Sequence, residues 1–341
     1  MHFAEGIERA VIAGRIPDAC TIREVVEESA ERLGERGVRR HTGFLEAELA
    51  GLGPLAALAV REGVTDILVN GSGETWADRG AGLERVPDHD FESAEHVRRF
   101  AVRLAGVSGR RLDDAQPWVD GLLPGAVRLH AILPPLAAGG TCVSLRLLRR
   151  DAVRLADLQA AGMCTPGEAI RLGRLVRERE AFVVTGGTGA GKTTLLAALL
   201  GEVDANERIV VVEDVLEMPL NRGHVVRLQA RAPNVEGHGG VSLVDLVRQA
   251  LRMRPDRLVV GEVRGAEVRE LLQALNTGHE GGCATLHANK PADVPARLEA
   301  LGALAGMSPA AVRAQVATAL KTVVHVARTP AGRRVVAIAD L

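Results

Sequence analysis

The residues with the clearest chemical potential lie in the segment Gly186–Thr194, which reads GGTGAGKTT. Its glycines and its Gly-Lys-Thr triplet have the spacing of a phosphate-binding loop, with a strand-like apolar run before it and a helix-like run after it. Backbone N–H groups in such a loop, and the start of the next helix, attract phosphate oxygens. We therefore predict that ATP binds through Gly186, Gly187, Thr188, Gly189, Ala190, Gly191, Lys192, Thr193 and Thr194.

Two side chains of this loop have distinct predicted tasks. Lys192 is expected to reach the β- and γ-phosphates, and the Thr193 hydroxyl is expected to hold Mg²⁺. The alternative is a glycine-rich turn that only happens to precede a helix. The lysine, the threonine and both flanking elements favour the phosphate-binding loop.

Three carboxylates follow apolar runs farther along the chain. Glu213 and Asp214 end the run RIVVVED, and Glu262 ends RLVVGE. Because the carboxyl ends of parallel strands meet at one sheet edge, these side chains are expected beside the phosphate-binding loop. Glu213 and Asp214 are predicted to orient Mg²⁺-bound or attacking water, unless Asp214 only caps the following turn. Glu262 is predicted to polarise the attacking water, the alternative being a surface acid on a loop.

An arginine and two histidines complete the candidate catalytic set. Arg264, two residues beyond Glu262, is predicted to balance the charge of that carboxylate. His287 ends a strand-like run and is predicted to contact the γ-phosphate, with a packing or capping role as the alternative. His279 precedes that run, and catalytic and structural roles remain equally open for it.

The elements that must position these residues change character along the chain. Residues 1–50 are charged and helix-like, and residues 51–150 combine short strands with the helical pattern Ser93–Gly106. From residue 151 to residue 341, buried strand-like runs alternate with helices, which is typical of a parallel sheet covered on both faces. We predict an α/β protein in which a nucleotide-binding domain follows a small α+β domain.

Composition narrows the possible functions. The net charge of −1 and the aromatic content of 2% argue against a protein that binds nucleic acid through a basic surface and stacked bases. The four cysteines form no C-x-x-C pair, which argues against a zinc knuckle and favours a reducing compartment. No apolar run approaches the ~20 residues of a membrane-spanning helix. A cytoplasmic location is therefore expected, with any membrane attachment made through a partner.

Together the motifs resemble those of the secretion and traffic ATPases of type II, type IV pilus and type IV secretion systems. GGTGAGKTT, EDVLE, VVGEVRG and TGHEGGCATLHAN occur in that family's order. LRMRPDRLVVGEVRG followed by NTGHEGG is most similar to the tight-adherence (Tad, CpaF-like) pilus branch, and VTDILVNG, LPPL and RRVVAIADL extend the likeness over roughly residues 50–341. The resemblance implies a RecA-like ATPase domain and a homo-hexameric ring.

The same resemblance implies a shared active site and a membrane partner. Arg128 and Arg146 match arginines that complete the nucleotide site of a neighbouring subunit in that family. The implied partner is an inner-membrane platform protein, which would place the chain at the inner face of the cytoplasmic membrane. One departure is Leu122, where that branch typically has an arginine. Another is Gly125-Ala126, which replaces an Asp-Gly turn.

The sequence therefore favours Mg-dependent ATP hydrolysis that powers pilus assembly, pilus retraction or secretion. Two alternatives stay open at this stage. One is a RecA-like translocase that depends on nucleic acid. The other is a nucleotide-binding scaffold with little turnover, which the departure at Leu122 keeps in consideration.

Overall fold

The computed structural model describes residues 51–341, apart from residues 81, 149–152, 221, 232, 234–236 and 280. The predicted helical segment 1–50 lies outside the described residues. The chain divides into two compact units between residues 149 and 150.

The first unit is built on a six-stranded antiparallel sheet. Its strands are β1 (Asp66–Val69), β2 (Thr75–Asp78), β3 (Leu83–Arg85), β4 (Trp118–Leu123), β5 (Val127–Ile132) and β6 (Cys142–Leu147). Their spatial order is β3-β2-β1-β6-β5-β4. Buried and more exposed side chains alternate along β1, β2, β4 and β5, so one sheet face is packed and the other is more open.

Helices cover the packed face of this sheet. They are α1 (Ala56–Ala59) and α2 (Ala94–Val107), with 3₁₀ turns at Gly53–Leu55 and Pro87–His89. The hydroxyl of Ser93 accepts a hydrogen bond from the His96 N–H and caps the start of α2. The apolar face of α2, which includes Phe100 and Leu104, joins the strands in one hydrophobic core. This is the α+β arrangement predicted for the unit.

The second unit contains a seven-stranded sheet. Its strands are β7 (Phe182–Thr185), β8 (Ile209–Glu213), β9 (Val225–Gln229), β10 (Arg257–Val263), β11 (Cys283–Leu286), β12 (Thr322–Thr329) and β13 (Gly332–Asp340). The order is β13-β12-β7-β11-β10-β8-β9. All neighbouring pairs are parallel except β12 and β13, which form an antiparallel hairpin.

Helices pack on both faces of this sheet, as the alternating pattern predicted. They are α3 (Leu155–Ala160), α4 (Pro166–Arg177), α5 (Lys192–Gly201), α6 (Leu243–Ala250), α7 (Val268–Leu275), α8 (Val294–Leu304) and α9 (Pro309–Ala319), with 3₁₀ turns at Leu251–Met253 and Pro291–Asp293. One hydrophobic cluster contains residues of α3, α4 and α5, and a second contains residues of α6 to α9. The strands are therefore enclosed between two apolar layers, and this packed sheet holds the loops that follow its strands in fixed positions.

Candidate nucleotide-binding and catalytic site

Four parallel strands end side by side and bring the candidate residues together. Leu286 of β11 pairs with Thr185 of β7, and Val260 of β10 pairs with Val212 of β8. The phosphate-binding loop follows β7, and His287 follows β11. Glu213 ends β8, and Glu262 lies one residue before the end of β10. We call this side of the sheet the carboxyl edge.

The loop from Gly186 to Gly191 has the backbone shape that its glycines permit. Gly191 adopts a φ of 98° and forms the N-cap of α5, a conformation that an L side chain would strain. At Gly186, with a φ of 150°, a side chain would collide with the carbonyl of Val326 in β12. The loop therefore turns tightly from β7 into the N-terminus of α5, where Lys192 and Thr193 are the first two residues.

Lys192 is held inside this loop. Its side chain is buried, and Nζ donates to the carbonyls of Gly186 and Gly187 at 3.1 and 3.0 Å. The same atom lies 3.2 Å from Nε2 of His287. Burial lowers the pKa of Lys192, and Glu262 opposes that shift. A buried ammonium supported mostly by neutral carbonyls is well suited to gain an anionic phosphate.

His287 lies between a cation and an anion. Its Nε2 is 3.0 Å from Oε1 of Glu262 as well as 3.2 Å from Nζ of Lys192. Burial and the nearby Lys192 lower the pKa of His287, so the ring is neutral near pH 7. A neutral ring nitrogen either accepts from Lys192 or donates to Glu262, but it cannot do both. The geometry therefore offers His287 two alternative hydrogen bonds.

Glu213 is engaged by the protein itself. Oε1 accepts the N–H groups of Glu217 and Met218 at 3.1 and 2.9 Å, and Oε2 accepts from Arg227 at 3.0 Å. Burial raises the pKa of Glu213, and Arg227 opposes the shift. Because both oxygens already have donors, we assign Glu213 to holding the loop after β8 rather than to the metal ion predicted for it.

The close approach of Glu213 also accounts for Gly261. A side chain at Gly261 would begin 2.7 Å from Cγ of Glu213. Any side chain at position 261, including that of an acidic residue, would collide with Glu213 as long as Glu213 keeps its hydrogen bonds.

Arg264 pairs with a different carboxylate from the one predicted. Its Nη2 lies 2.5 Å from Asp214, whereas the ion pair of Glu262 is with His287. The loops after β8 and β10 are neighbours at the carboxyl edge, which brings Arg264 to Asp214. Arg264 consequently braces these two loops against each other.

His279 lies at the opposite edge of the sheet. It precedes β11, whereas His287 follows it, so the length of the strand separates the two side chains. At about 3.3 Å per residue, the four residues of β11 put His279 roughly 13 Å from the carboxyl edge. Its Nδ1 is buried without a hydrogen-bond partner among the described residues. This position does not fit the catalytic role that was left open for His279.

Arg128 and Arg146 lie in the first unit and are direct neighbours there. They pair across β5 and β6, and Leu122 of β4 and Asp66 of β1 extend the same row on the more open face of the sheet. Arg146 donates to Asp66 at 2.9 Å. The two arginines therefore form one basic pair on this face, with Leu122 beside it where a further arginine was expected.

The turn between β4 and β5 contains the second departure from the expected pattern. Gly125 and Ala126 both have positive φ values, 91° and 58°. Glycine adopts this conformation freely, whereas Ala126 is strained in it.

Two buried polar residues near the site were missed from the sequence. Thr285 of β11 donates to the carbonyl of Gly261 at 2.6 Å and supports the strand that carries Glu262. His325 of β12 contacts Thr185, the last residue before the loop. A histidine inside the apolar run TVVHVA was the available signal, because a buried imidazole needs hydrogen-bond partners.

Comparison with known protein families matches residues 48–335 to the type II/IV secretion system protein model. A Mycobacterium tuberculosis protein (strain H37Rv), provisionally named for conjugal transfer, is 56% identical over 308 residues, which cover 89% of this chain and 87% of that protein. The Bordetella bronchiseptica homologue of type IV secretion system protein PtlH is 33% identical over 251 residues, covering 67% of this chain and 74% of that protein.

Solved structures share the fold. The pilus retraction motor PilT with bound ADP superimposes with a TM-score of 0.60 at 21% identity, covering 84% of this chain and 81% of that one. The ATPase DotB of Legionella pneumophila gives 0.54 at 22% identity, covering 77% and 72%. The predicted RecA-like α/β fold class is confirmed. Among the described residues, no helix combines the length and the apolar character needed to cross a membrane.

Proposed function

We propose a function from the premise that the chain belongs to the type II/IV secretion system protein family and is an ATPase of the secretion class. It hydrolyses Mg-ATP to power a membrane-associated machine. That machine either assembles or retracts a Tad-type or type IV-like pilus, or transports substrates through a type II or type IV system. The observation that carries the proposal is the contact chain Lys192–His287–Glu262 directly at the phosphate-binding loop. A glycine-rich turn with only a structural role has no need for a buried lysine linked to a histidine and a glutamate.

The proposed sequence of events begins with Lys192. Binding of the β- and γ-phosphates draws the ammonium away from the carbonyls of Gly186 and Gly187, because a phosphate is the stronger partner. His287 then loses its lysine donor, and its ring proton passes from Nδ1 to Nε2 through solvent, so that Nε2–H donates to Glu262. His287 thus reports the presence of the γ-phosphate, while Glu262 accepts a proton from the attacking water.

The oxygen donors at this edge fit Mg²⁺. Thr193 offers a hydroxyl at the start of α5, and Asp214 offers a partly exposed carboxylate, which are ligand types that Mg²⁺ prefers. Within the described residues no group of three or more His, Cys, Asp and Glu side chains could hold a metal ion. Mg²⁺ would therefore depend largely on phosphate oxygens, and when bound it would neutralise their developing charge.

We also propose that the working form is a homo-hexamer in which Arg128 and Arg146 serve the ATP of the neighbouring subunit. Their pairing on the more open face of the first unit suits recognition of a phosphate by two guanidinium groups. An inner-membrane platform protein is the proposed partner, at the inner face of the cytoplasmic membrane. The conjugation and type IV secretion names of the relatives agree with such a membrane-bound machine.

A mixing experiment tests the shared site. Subunits with Arg128→Ala and Arg146→Ala, and separately subunits with Glu262→Gln, should each be nearly inactive. Reassembled mixtures should regain activity where an intact Glu262 faces intact arginines. Titration of Glu262→Gln into wild type supplies the control, because firing in sequence around a ring makes activity fall faster than linearly. A linear fall without rescue in the mixture would refute the shared site.

The activity itself is tested by phosphate release. Wild type should hydrolyse ATP, and Lys192→Ala should show no detectable turnover and weaker nucleotide binding, because the phosphates lose their main counter-charge. Lys321→Ala is the matched control, since it removes an exposed lysine that precedes β12. Addition of DNA or RNA should leave the rate unchanged, and strong stimulation would instead favour a nucleic-acid translocase. Absence of turnover in wild type would favour a scaffold.

A further inference from the structure

The hairpin of β12 and β13 extends beyond the carboxyl edge, directly beside the phosphate-binding loop. His325 of β12 pairs with Thr185, the last residue of β7, and β12 continues for four more residues, to Thr329. At about 3.3 Å per residue, this extension is roughly 13 Å long. It runs against the loop, since a side chain at Gly186 would collide with the carbonyl oxygen of Val326. The hairpin therefore lies along the loop on the side of β7 that is opposite to β11 and β10.

Two arginines face each other across the extended part of this hairpin. Arg328 of β12 pairs in register with Arg333 of β13, and two residues farther along each strand Val326 pairs with Val335. Both valines belong to the hydrophobic cluster that contains residues of α3, α4 and α5. Side chains two residues apart on a strand share a face of the sheet. Both arginines therefore lie on the face that carries α5, the helix whose N-terminus ends the phosphate-binding loop.

The stem of Arg333 lies over this loop. A Cβ atom at Gly191 would be 3.4 Å from Cδ of Arg333 and 3.2 Å from Cε of Met163. The N–H group of Val335 donates to the carbonyl of Met163 at 2.7 Å, which joins β13 to the segment that follows α3. Arg333 is thus held next to the residue that caps α5 and immediately precedes Lys192.

The charges of both arginines are unpaired. Arg328 and Arg333 are exposed, and among the residues that the structure describes neither guanidinium has a hydrogen-bond or ion-pair partner. Like charges directly opposite each other on neighbouring strands destabilise a sheet. Packing of an aliphatic stem on Gly191 requires no charged group at either position. Two unpaired cations next to backbone N–H groups that attract phosphate indicate an anionic ligand.

We propose that Arg333 binds the α-phosphate of the nucleotide held by its own chain, and that Arg328 adds to the positive potential there. The inference rests on the proposed function and names a further part of the same site. Glu262 and His287 lie at the ends of β10 and β11, so the γ-phosphate is on that side of β7. The hairpin lies on the other side of β7, where the phosphate chain joins the nucleoside. The contact is made within one chain, unlike the one proposed for the arginines of the first unit.

Calorimetric titration with ADP and with a non-hydrolysable ATP analogue tests the contact without relying on hydrolysis. Arg333→Met keeps an unbranched stem and removes the charge, and it should raise the Kd for both nucleotides by about tenfold, the worth of one charge-assisted hydrogen bond. Arg333→Lys keeps a charge without the planar fork and should lie between Met and wild type. Arg328→Gln should raise the Kd by a smaller factor that disappears at high salt, because it removes only a distant charge.

A matched control is available on the same strand. Arg334 is the next residue of β13 and pairs with Ala327, so its side chain lies on the opposite face of the sheet from Arg333. Arg334→Ala should leave both Kd values at the wild-type level. In nucleotide-free protein, Arg333→Met and Arg328→Gln should keep the Tm of wild type or raise it, because each removes the repulsion between the two arginines. This measurement separates lost binding from lost folding.

The results that overturn the inference differ from those that overturn the proposed function. Equal Kd values in wild type and Arg333→Met would refute the contact, and a loss of affinity that accompanies a lower Tm would show that Arg333 only packs. A loss for the ATP analogue but not for ADP would place Arg333 at the γ-phosphate. A wild type that binds both nucleotides more tightly than Arg333→Met, yet releases no phosphate from ATP, refutes the proposed function and leaves the α-phosphate contact standing.

Discussion

Adding a single methyl group at Gly261 should destabilise the second unit. The Cβ of Gly261→Ala would lie 2.7 Å from Cγ of Glu213 and 3.5 Å from its Cβ and Cδ. Unstrained carbon atoms lie ~3.5–4.0 Å apart, so one of the two residues must move by about 1 Å. Glu213 cannot swing aside freely, because the N–H groups of Glu217 and Met218 and the guanidinium of Arg227 hold its carboxylate.

The size of the effect follows from two opposing contributions. Overpacking of this kind costs about 1–3 kcal/mol. Replacement of glycine by alanine offsets about 0.4–1 kcal/mol of that cost, because it lowers the conformational entropy of the unfolded chain. A net loss of about 1–2 kcal/mol should therefore lower the Tm of this ~190-residue unit by about 2–8 °C.

Calorimetry or circular dichroism measures the change, with Gly201→Ala as the matched control. A side chain at Gly201, the last residue of α5, would meet nothing within 4 Å, so its Tm should stay level or rise. In a Glu213→Ala background the cost of Gly261→Ala should vanish, because the colliding Cγ is gone. Equal Tm values for Gly261→Ala and Gly201→Ala, or a cost that persists in that background, would refute the steric explanation.

Three other experiments test separate parts of the account. His287→Ala should keep the affinity for a fluorescent ATP analogue and lower phosphate release, and lost affinity at an unchanged rate per bound ATP would refute the sensing role. An NMR titration should give His287 a pKa below that of ordinary histidine, because burial and Lys192 disfavour the charged ring. Lys192→Met should raise this pKa, and Glu262→Gln should lower it further. Shifts of the opposite sign would contradict the contact chain Lys192–His287–Glu262. Ala126→Gly should raise the free energy of unfolding of the first unit by about 1 kcal/mol, because its φ of 58° strains alanine, and an unchanged urea midpoint would exclude that strain.

The local parts of the site could be predicted from the sequence. The phosphate-binding loop depends on residues within one short segment, so its glycines, Lys192 and Thr193 define it directly. The carboxyl ends of β8, β10 and β11 could also be placed, because buried strands that alternate with helices predict a parallel sheet. That prediction was sufficient to bring Glu262 and His287 to the same edge as Lys192.

The pairings between loops could not be predicted in this way. Arg264 meets Asp214 because the loops after two neighbouring strands approach each other, and no spacing along the chain contains that information. The same holds for Glu213, whose carboxylate turns back to its own loop and to Arg227. His279 and His287 are close in sequence, yet they lie at opposite ends of β11. Strand order and register decided each of these outcomes.

The most direct test of ATP hydrolysis at this site is to measure ATP occupancy and phosphate release together in Glu262→Gln. Glutamine keeps the shape of the side chain and removes the group that polarises water, a role worth on the order of 10²–10⁴-fold. The account predicts a protein that retains bound ATP and hydrolyses it slower than wild type by that factor. Release of phosphate at the wild-type rate, or loss of ATP binding together with turnover, would contradict it.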